Sequence, residues 1–367
     1  MTDSRPAPRR RRGRAGLFAP FILILIAFAA WSGWWVWLSR QVDAQVETRV
    51  AALQQAGWTV ERERTGVTGW PFRLKLDTGA MRIAAPSGHA VAAPAFAAQA
   101  SALNPGKWVM VASDGLTLTR AAKGDVDITA RAIRMSVHGL TQRFPNVALE
   151  LAEPVFAART GAEPFPLASA GKVELYLRPH LAPAGSPGAE DSVDVLFRLL
   201  DGVGRPGGPI EGLAQNGRLT IQAETVIARA DRIRGADAAG VLSAWSRDGG
   251  RFSALKGEMT AGRSRARLVS EGLSADRDGR LTGVIDLDAV NPYPALAGLV
   301  QASQGQAGGG GVNPLGAAAA AAAAAGPAGP AGAPADDGQS EVKLTLTFRD
   351  GRAWLGPFPL APAPKLF

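Results

Sequence analysis

The sequence predicts a mainly β (α+β) fold: a single N-terminal transmembrane helix, then an extended, curved antiparallel sheet with two or three packed helices. Three observations predict it. Leu17 to Leu38 is one uncharged, apolar run. From Trp58 onward, short segments alternate apolar and polar residues between Gly, Asp, Asn and Pro, which is the period of antiparallel strands. Strand and helix patterns do not alternate regularly, which argues against a parallel doubly wound sheet. The 367 residues are 46% hydrophobic but only 7% aromatic, so alanine carries much of the apolar content and the core is spread thin.

The first element is a basic arm, residues 1–16, where Arg5, Arg9, Arg10, Arg11, Arg12 and Arg14 against Asp3 hold about +5 of the net +8. The remaining cations are scattered singly, which argues against a nucleic-acid surface. The anchor follows at 17–38. At about 1.5 Å per residue it reaches roughly 33 Å, the thickness of a bilayer core. Pro20 sits in its first turn, and Trp31, Trp34, Trp35 and Trp37 crowd its far end, where indoles favour the headgroup zone and act as a membrane-interface anchor. Six arginines precede the run and only Arg40 follows closely, so the positive-inside rule leaves the N-terminus in the cytoplasm and carries the rest across the inner membrane. The competing reading is a cleaved signal peptide, with Val42-Asp43-Ala44 as the small-residue site.

Residues 40–57 place Val42, Val46, Val50 and Leu53 at helical spacing before Gly57, a stalk helix laid on the domain that follows. The β-rich domain spans 58–300. Its strand patterns include "FRLKLDT", "KWVMVAS", "DVDITARAIRMSV", "KVELYLR", "GRLTIQAETVIARA" and "LTGVIDLDAV". Arg-Asp-Gly at 277–279 and 349–351, and Ser-Asp-Gly at 113–115, predict hairpin turns. The third Arg-Asp-Gly, at 247–249, follows Val241, Leu242 and Trp245 at helical spacing, so there Gly249 and Gly250 end a short helix. A second helix is predicted over Glu190 to Gly202, with acids at its start. Residues 301–340, with glycines 308 to 311, alanines 317 to 325 and "GPAGPAGAP", read as a disordered insert. Residues 341–367 then form a final hairpin that completes the β-rich domain.

Catalytic signatures fail on inspection. The absence of cysteine removes thiolate nucleophiles and thiolate ligands. Gly202, Gly204 and Gly207 match G-x-G-x-x-G but read as a loop running into Gly208-Pro209. Ser253 and Lys256 match S-x-x-K inside a strand pattern, without the later partner motif. His89, His138 and His180 are far apart, with no carboxylate at ligand spacing. Asp125 with Asp127, and Asp286 with Asp288, share strand faces; they suit weak calcium binding or, more simply, water. The expectation is no enzyme, no cofactor and no metal.

Two stretches carry a resemblance. "GVTGWPFRLKLDTGAMRI" from Gly66, and "AWSRDGGRFSALKGEMTAGRSRARLVSEGLSADRDGRLTGVIDLDAV" from Ala244, resemble a bacterial envelope family catalogued as domain of unknown function number twenty-one twenty-five. The likeness takes in most of 40–300 and the closing "GRAWLGPFPLAPAPKLF". It implies one N-terminal anchor and a periplasmic body. By pattern that family is similar to AsmA-type envelope proteins, whose curved sheets offer lipids an apolar groove. Within the first stretch Gly69, Trp70, Pro71, Phe72 and Arg73 form a corner expected to pack the stalk on the first hairpin. The expectation is a non-enzymatic, inner-membrane-anchored protein whose sheet binds lipid or another envelope component, with a protein-interaction scaffold as the alternative.

Overall fold

The computed structural model describes residues 15–63, 66–181, 191–233, 238–295, 297–298, 341–356 and 358–366. Most of the basic arm and the whole of 301–340 lie outside them. Helix α1 (Ala15–Gln55) is continuous through both the apolar run and the stalk. By length and composition it can cross a bilayer, and its described apolar residues from Phe18 to Phe28 are exposed. It ends where Gly57, at φ +85°, lets Gly57 N and Trp58 N donate to the carbonyls of Gln54 and Leu53. A left-handed C-terminal cap of this kind favours glycine.

The strands after α1 form one antiparallel sheet, with 19 strands among the described residues. The first are β1 (Thr59–Arg62), β2 (Arg73–Ala84), β3 (Ala90–Ser101), β4 (Asn104–Ala112) and β5 (Leu116–Arg120). Strand β3 pairs with both β4 and β5, one after the other along the same edge. Ser113 to Gly115 is therefore no hairpin, contrary to the sequence expectation. It is a bulge within one long strand, with Gly115 at φ +82°. A bulge and a reversal both call for glycine with positive φ, so local sequence does not separate them.

The same interruption recurs in the neighbouring strands. Strands β6 (Gly124–Thr129) and β7 (Ala132–His138) are two halves of one rung, as are β8 (Asn146–Ala152) with β9 (Val155–Ala158), and β10 (Leu167–Ser169) with β11 (Lys172–Pro179). The last of these rungs, β10 with β11, pairs with the single strand β12 (Val193–Gly204), whose register shifts between Leu199 and Gly202. Gly79 in β2 and Pro94 in β3 sit at the matching level, beside register shifts of their own. Pro94 lacks an amide proton and is tolerated at such a break. The breaks line up as a crease, and inside it the two limbs share a core of Ala93, Ala112, Val126, Ile128, Ile133 and Leu151.

Beyond β12 the meander continues through β13 (Leu219–Ala228), β14 (Arg251–Ala261), β15 (Ser264–Ala275), β16 (Leu281–Val290), β17 (Glu341–Arg349), β18 (Arg352–Leu355) and β19 (Phe358–Pro362). Each pairs with the next. The closing segment does join the sheet beside β16. Among the described residues, the short helices α2 (Pro209–Ala214) and α3 (Ala238–Arg247), with a 3-10 turn at Ala230–Arg232, accompany it.

The helix expected over Glu190 to Gly202 is strand β12 instead. Val193, Val195, Phe197 and Leu199 alternate on one face and pair on both sides. Leu196 and Leu200 on the other face supply the i+3 and i+4 spacing that imitates a helix. Of the two remaining turns, Asp350 and Gly351, at φ +53° and +70°, form a two-residue reversal between Arg349 and Arg352. The 277–279 copy lies in a longer loop, where the Asp276 carboxylate accepts from the amides of Asp278 and Arg280.

Candidate functional site

The corner after β1 locks onto α1. The Trp31 indole donates to the Pro71 carbonyl at 2.9 Å, and the Trp35 indole donates to the Arg73 carbonyl at 2.9 Å. Phe28 meets Trp70 edge-on at 5.3 Å, and Trp31 lies 6.1 Å from Phe72. Trp35, Leu38, Leu74, Ala100 and Ala102 are buried together. The corner thus packs on the end of the apolar part of α1, with Val42 of the stalk packed against the same cluster, and the tryptophans divide their work. Trp31 and Trp35 face the sheet, whereas Trp34 and Trp37 are exposed. Gly69, at φ +101°, is required here because a Cβ would lie 2.9 Å from the Arg73 carbonyl oxygen. The Trp70–Pro71 bond is cis.

From that junction the sheet carries two faces of opposite character. Directly opposed partners share a face, and one row runs Leu76, Ala98, Met110, Met135, Leu149, Leu175, Phe197, Ala223, Gly257, Leu268, Leu287, Leu344. Twelve strands contribute and none supplies a polar side chain. The next row over runs Asp77, Ala97, Val111, Arg134, Glu150, Glu174, Arg198, Gln222, Glu258, Arg267, Asp288, Lys343. At about 4.8 Å between strands the apolar row follows a contour of roughly 50 Å. Leu76, Ala98 and Gly257 are buried, while most of the others are only half-buried. Leu268 leans over Gly257, where a Cβ would meet it at 2.8 Å. The row therefore lines a surface that its own neighbours do not fill completely.

Residues 35–364 match the family described as an uncharacterized protein conserved in bacteria, DUF2125. The chain belongs to the DUF2125 family. No curated protein and no solved structure matches it. In this DUF2125 protein the second stretch of the family resemblance forms α3 and strands β14 to β16. Trp245 is fully buried, donates to the Ala228 carbonyl at 2.8 Å and packs 5.2 Å from Phe252. Gly249 ends the helix at φ +82°. A Cβ on Gly250 would lie 2.2 Å from the indole, so glycine there makes room for Trp245.

The polar face of the DUF2125 sheet holds groups that strand register assembles and sequence spacing hides. A cleft of about 560 Å³ includes His138, Tyr176, Asp194, Arg198, Glu224 and Lys256 in its lining. Beside it Glu174 is buried and bonds Lys172, and the Tyr176 hydroxyl lies 2.9 Å from Glu174 and 3.2 Å from Glu150. The Lys172 ammonium, with help from Tyr176, holds Glu174 below the usual carboxylate range. Burial, then the bond to Glu174, pushes Tyr176 up to about 12. An ionised acid and a phenol that keeps its proton make neither a good acid nor a good base at neutral pH.

His180, expected to lack a carboxylate neighbour, has one: its Nδ1 lies 2.5 Å from Asp194, which also accepts from Arg178 at 3.0 Å. The β11–β12 register brings these residues together. Asp125 and Asp127 face Arg159, which bonds Asp127 at 2.8–3.1 Å and pulls its pKa down. Asp286 accepts from Thr345 at 2.9 Å. No group of three or more potential metal ligands occurs among the described residues. Gly202 and Gly204 lie in the last residues of β12 and only Gly207 is in the turn before α2, so the G-x-G-x-x-G segment is a strand end and not the loop expected. The sheet is antiparallel, α2 has only 6 residues, and the Glu211 carboxylate already accepts from Gly207 N at 2.6 Å.

Proposed function

We propose that this protein is a non-enzymatic lipid-binding protein held in the inner membrane by α1, with its N-terminus in the cytoplasm and its sheet in the periplasm. The observation that carries the lipid reading is the apolar row, uninterrupted across twelve strands and starting at the strand docked on α1. The orientation rests on the arginines before the span against the single Arg40 after it.

An acyl chain laid along the row gains about 0.8 kcal/mol per methylene relative to water, but little relative to a bilayer. A surface of that kind shields tails outside the membrane without trapping them. Its contour of about 50 Å exceeds the ~30 Å hydrocarbon core, so it suits tails in succession rather than one bound molecule.

Native mass spectrometry of the full chain, extracted in mild detergent, tests the reading. Phospholipid carried by the chain before detergent exchange, and lost as exchange proceeds, is the expected result, and repeated lipid-free spectra before exchange would overturn it. The orientation has its own test, because the chain has no cysteine. An Arg267→Cys variant is expected to react with membrane-impermeant maleimide in intact spheroplasts, and labelling only after lysis would contradict a periplasmic body.

A further inference from the structure

The membrane end of the sheet carries a second feature that the apolar row does not use. Trp70, Phe72 and Leu103 are 47%, 63% and 72% exposed, although all three belong to the corner and the β3–β4 turn packed beside α1. Phe28, the partner of Trp70, lies about 4.5 Å deeper along the helix than Trp31. When the Trp31 to Trp37 segment sits at the headgroup level, Trp70 therefore sits below it. Phe72 also lines a cleft of about 440 Å³ whose lining includes Arg73, Gln99, Ser101, Asn104 and Lys107. No carboxylate is among its described lining residues, and neither Arg73 nor Lys107 has an ion-pair partner among the described residues. Lys75, the next cation along β2, is already paired with Asp77 at 2.9 Å.

We propose that Arg73 and Lys107 bind the phosphate of an anionic phospholipid headgroup in the bilayer that α1 crosses, with Trp70, Phe72 and Leu103 inserted beside the helix. Two unpaired cations with amide and hydroxyl donors between them suit a phosphate oxyanion. The exposed apolar rim and the docked helix select a lipid over a free anion. The proposal requires α1 to span a membrane and is independent of whether tails occupy the apolar row.

The test uses the full chain in mixed phosphatidylglycerol and phosphatidylcholine micelles, read by native mass spectrometry. The intact chain is expected to prefer phosphatidylglycerol. The Arg73→Gln/Lys107→Gln variant is expected to lose that preference by roughly tenfold or more, given about 1 kcal/mol per cation near a membrane surface. Arg267→Gln/Lys343→Gln, remote from the cleft, is expected to keep it. An unchanged preference in the first variant overturns the proposal. So does millimolar inorganic phosphate that binds as tightly without lipid, because the site then serves a soluble anion. A second readout needs no charge change. A fluorophore on Leu103→Cys in liposomes is expected to be quenched by shallow spin-labelled lipid, unlike one on Arg267→Cys; equal quenching of the two by aqueous iodide overturns the insertion.

Discussion

Trp35 and Leu74 tie the sheet to α1, and their contributions are of different kinds. Leu74 is fully buried, so Leu74→Ala is expected to cost about 2–5 kcal/mol through lost burial and the cavity left behind. Trp35→Phe keeps most of the apolar contact and removes the bond to the Arg73 carbonyl, a loss of about 1 kcal/mol. Thermal unfolding in nanodiscs should rank them in that order. Gly250→Ala forces a methyl into the Trp245 indole, and overpacking of this sort costs about 1–3 kcal/mol. Charged residues set the pH limits. Glu174 and Asp127 are depressed by Lys172 and Arg159, so their stabilisation is full above their ordinary values of 4.5 and 3.8 and is lost as pH falls below them. Tyr176 is raised from 10.0 to about 12, so its stabilisation is full below pH 10 and is lost as pH climbs through 12. Unfolding midpoints followed against pH should show Glu174→Gln flattening the acid limb and Tyr176→Phe flattening the alkaline one.

At the level of elements, the strands that alternate cleanly were legible in the sequence, as were the apolar anchor and the helix ended by Gly249 and Gly250. Strand β3 was not, because its alanines and Pro94 give almost no amphipathic signal. Strand β12 was misread because Leu196 and Leu200 lie on the polar face. Amide hydrogen exchange distinguishes the alternatives, since a central strand from Val193 to Leu200 is expected to be as protected as β13, whereas a surface helix would exchange sooner. The crease was hidden for a different reason. A bulge is a relation between strands, and Gly115 looks the same at a bend as at a reversal. The same limit hid the His180–Asp194 contact and the Glu174 cluster, which exist only through register. Face assignment is testable directly: Leu268→Glu is expected to destabilise strongly by burying a charge, while Arg267→Glu, one residue along β15, should change stability by about 0.5 kcal/mol or less.

For the whole molecule, the apolar and charged rows define a two-sided ribbon fastened at one end to an apolar helix. The fold class and the family resemblance could be read from the residues one at a time. The continuity of the row could not, since its twelve members lie between Leu76 and Leu344 and become neighbours only through pairing. That continuity is the feature on which the proposal of lipid tails rests. It is tested most directly by placing a photoreactive side chain, in turn, at Leu149, Leu268 and Leu344 and at their neighbours Glu150, Arg267 and Lys343 in the full chain, then irradiating intact cells. Phospholipid adducts at the three row positions and none at the three charged ones are the expected result. Polypeptide adducts at the row positions, or no adducts there at all, would contradict it.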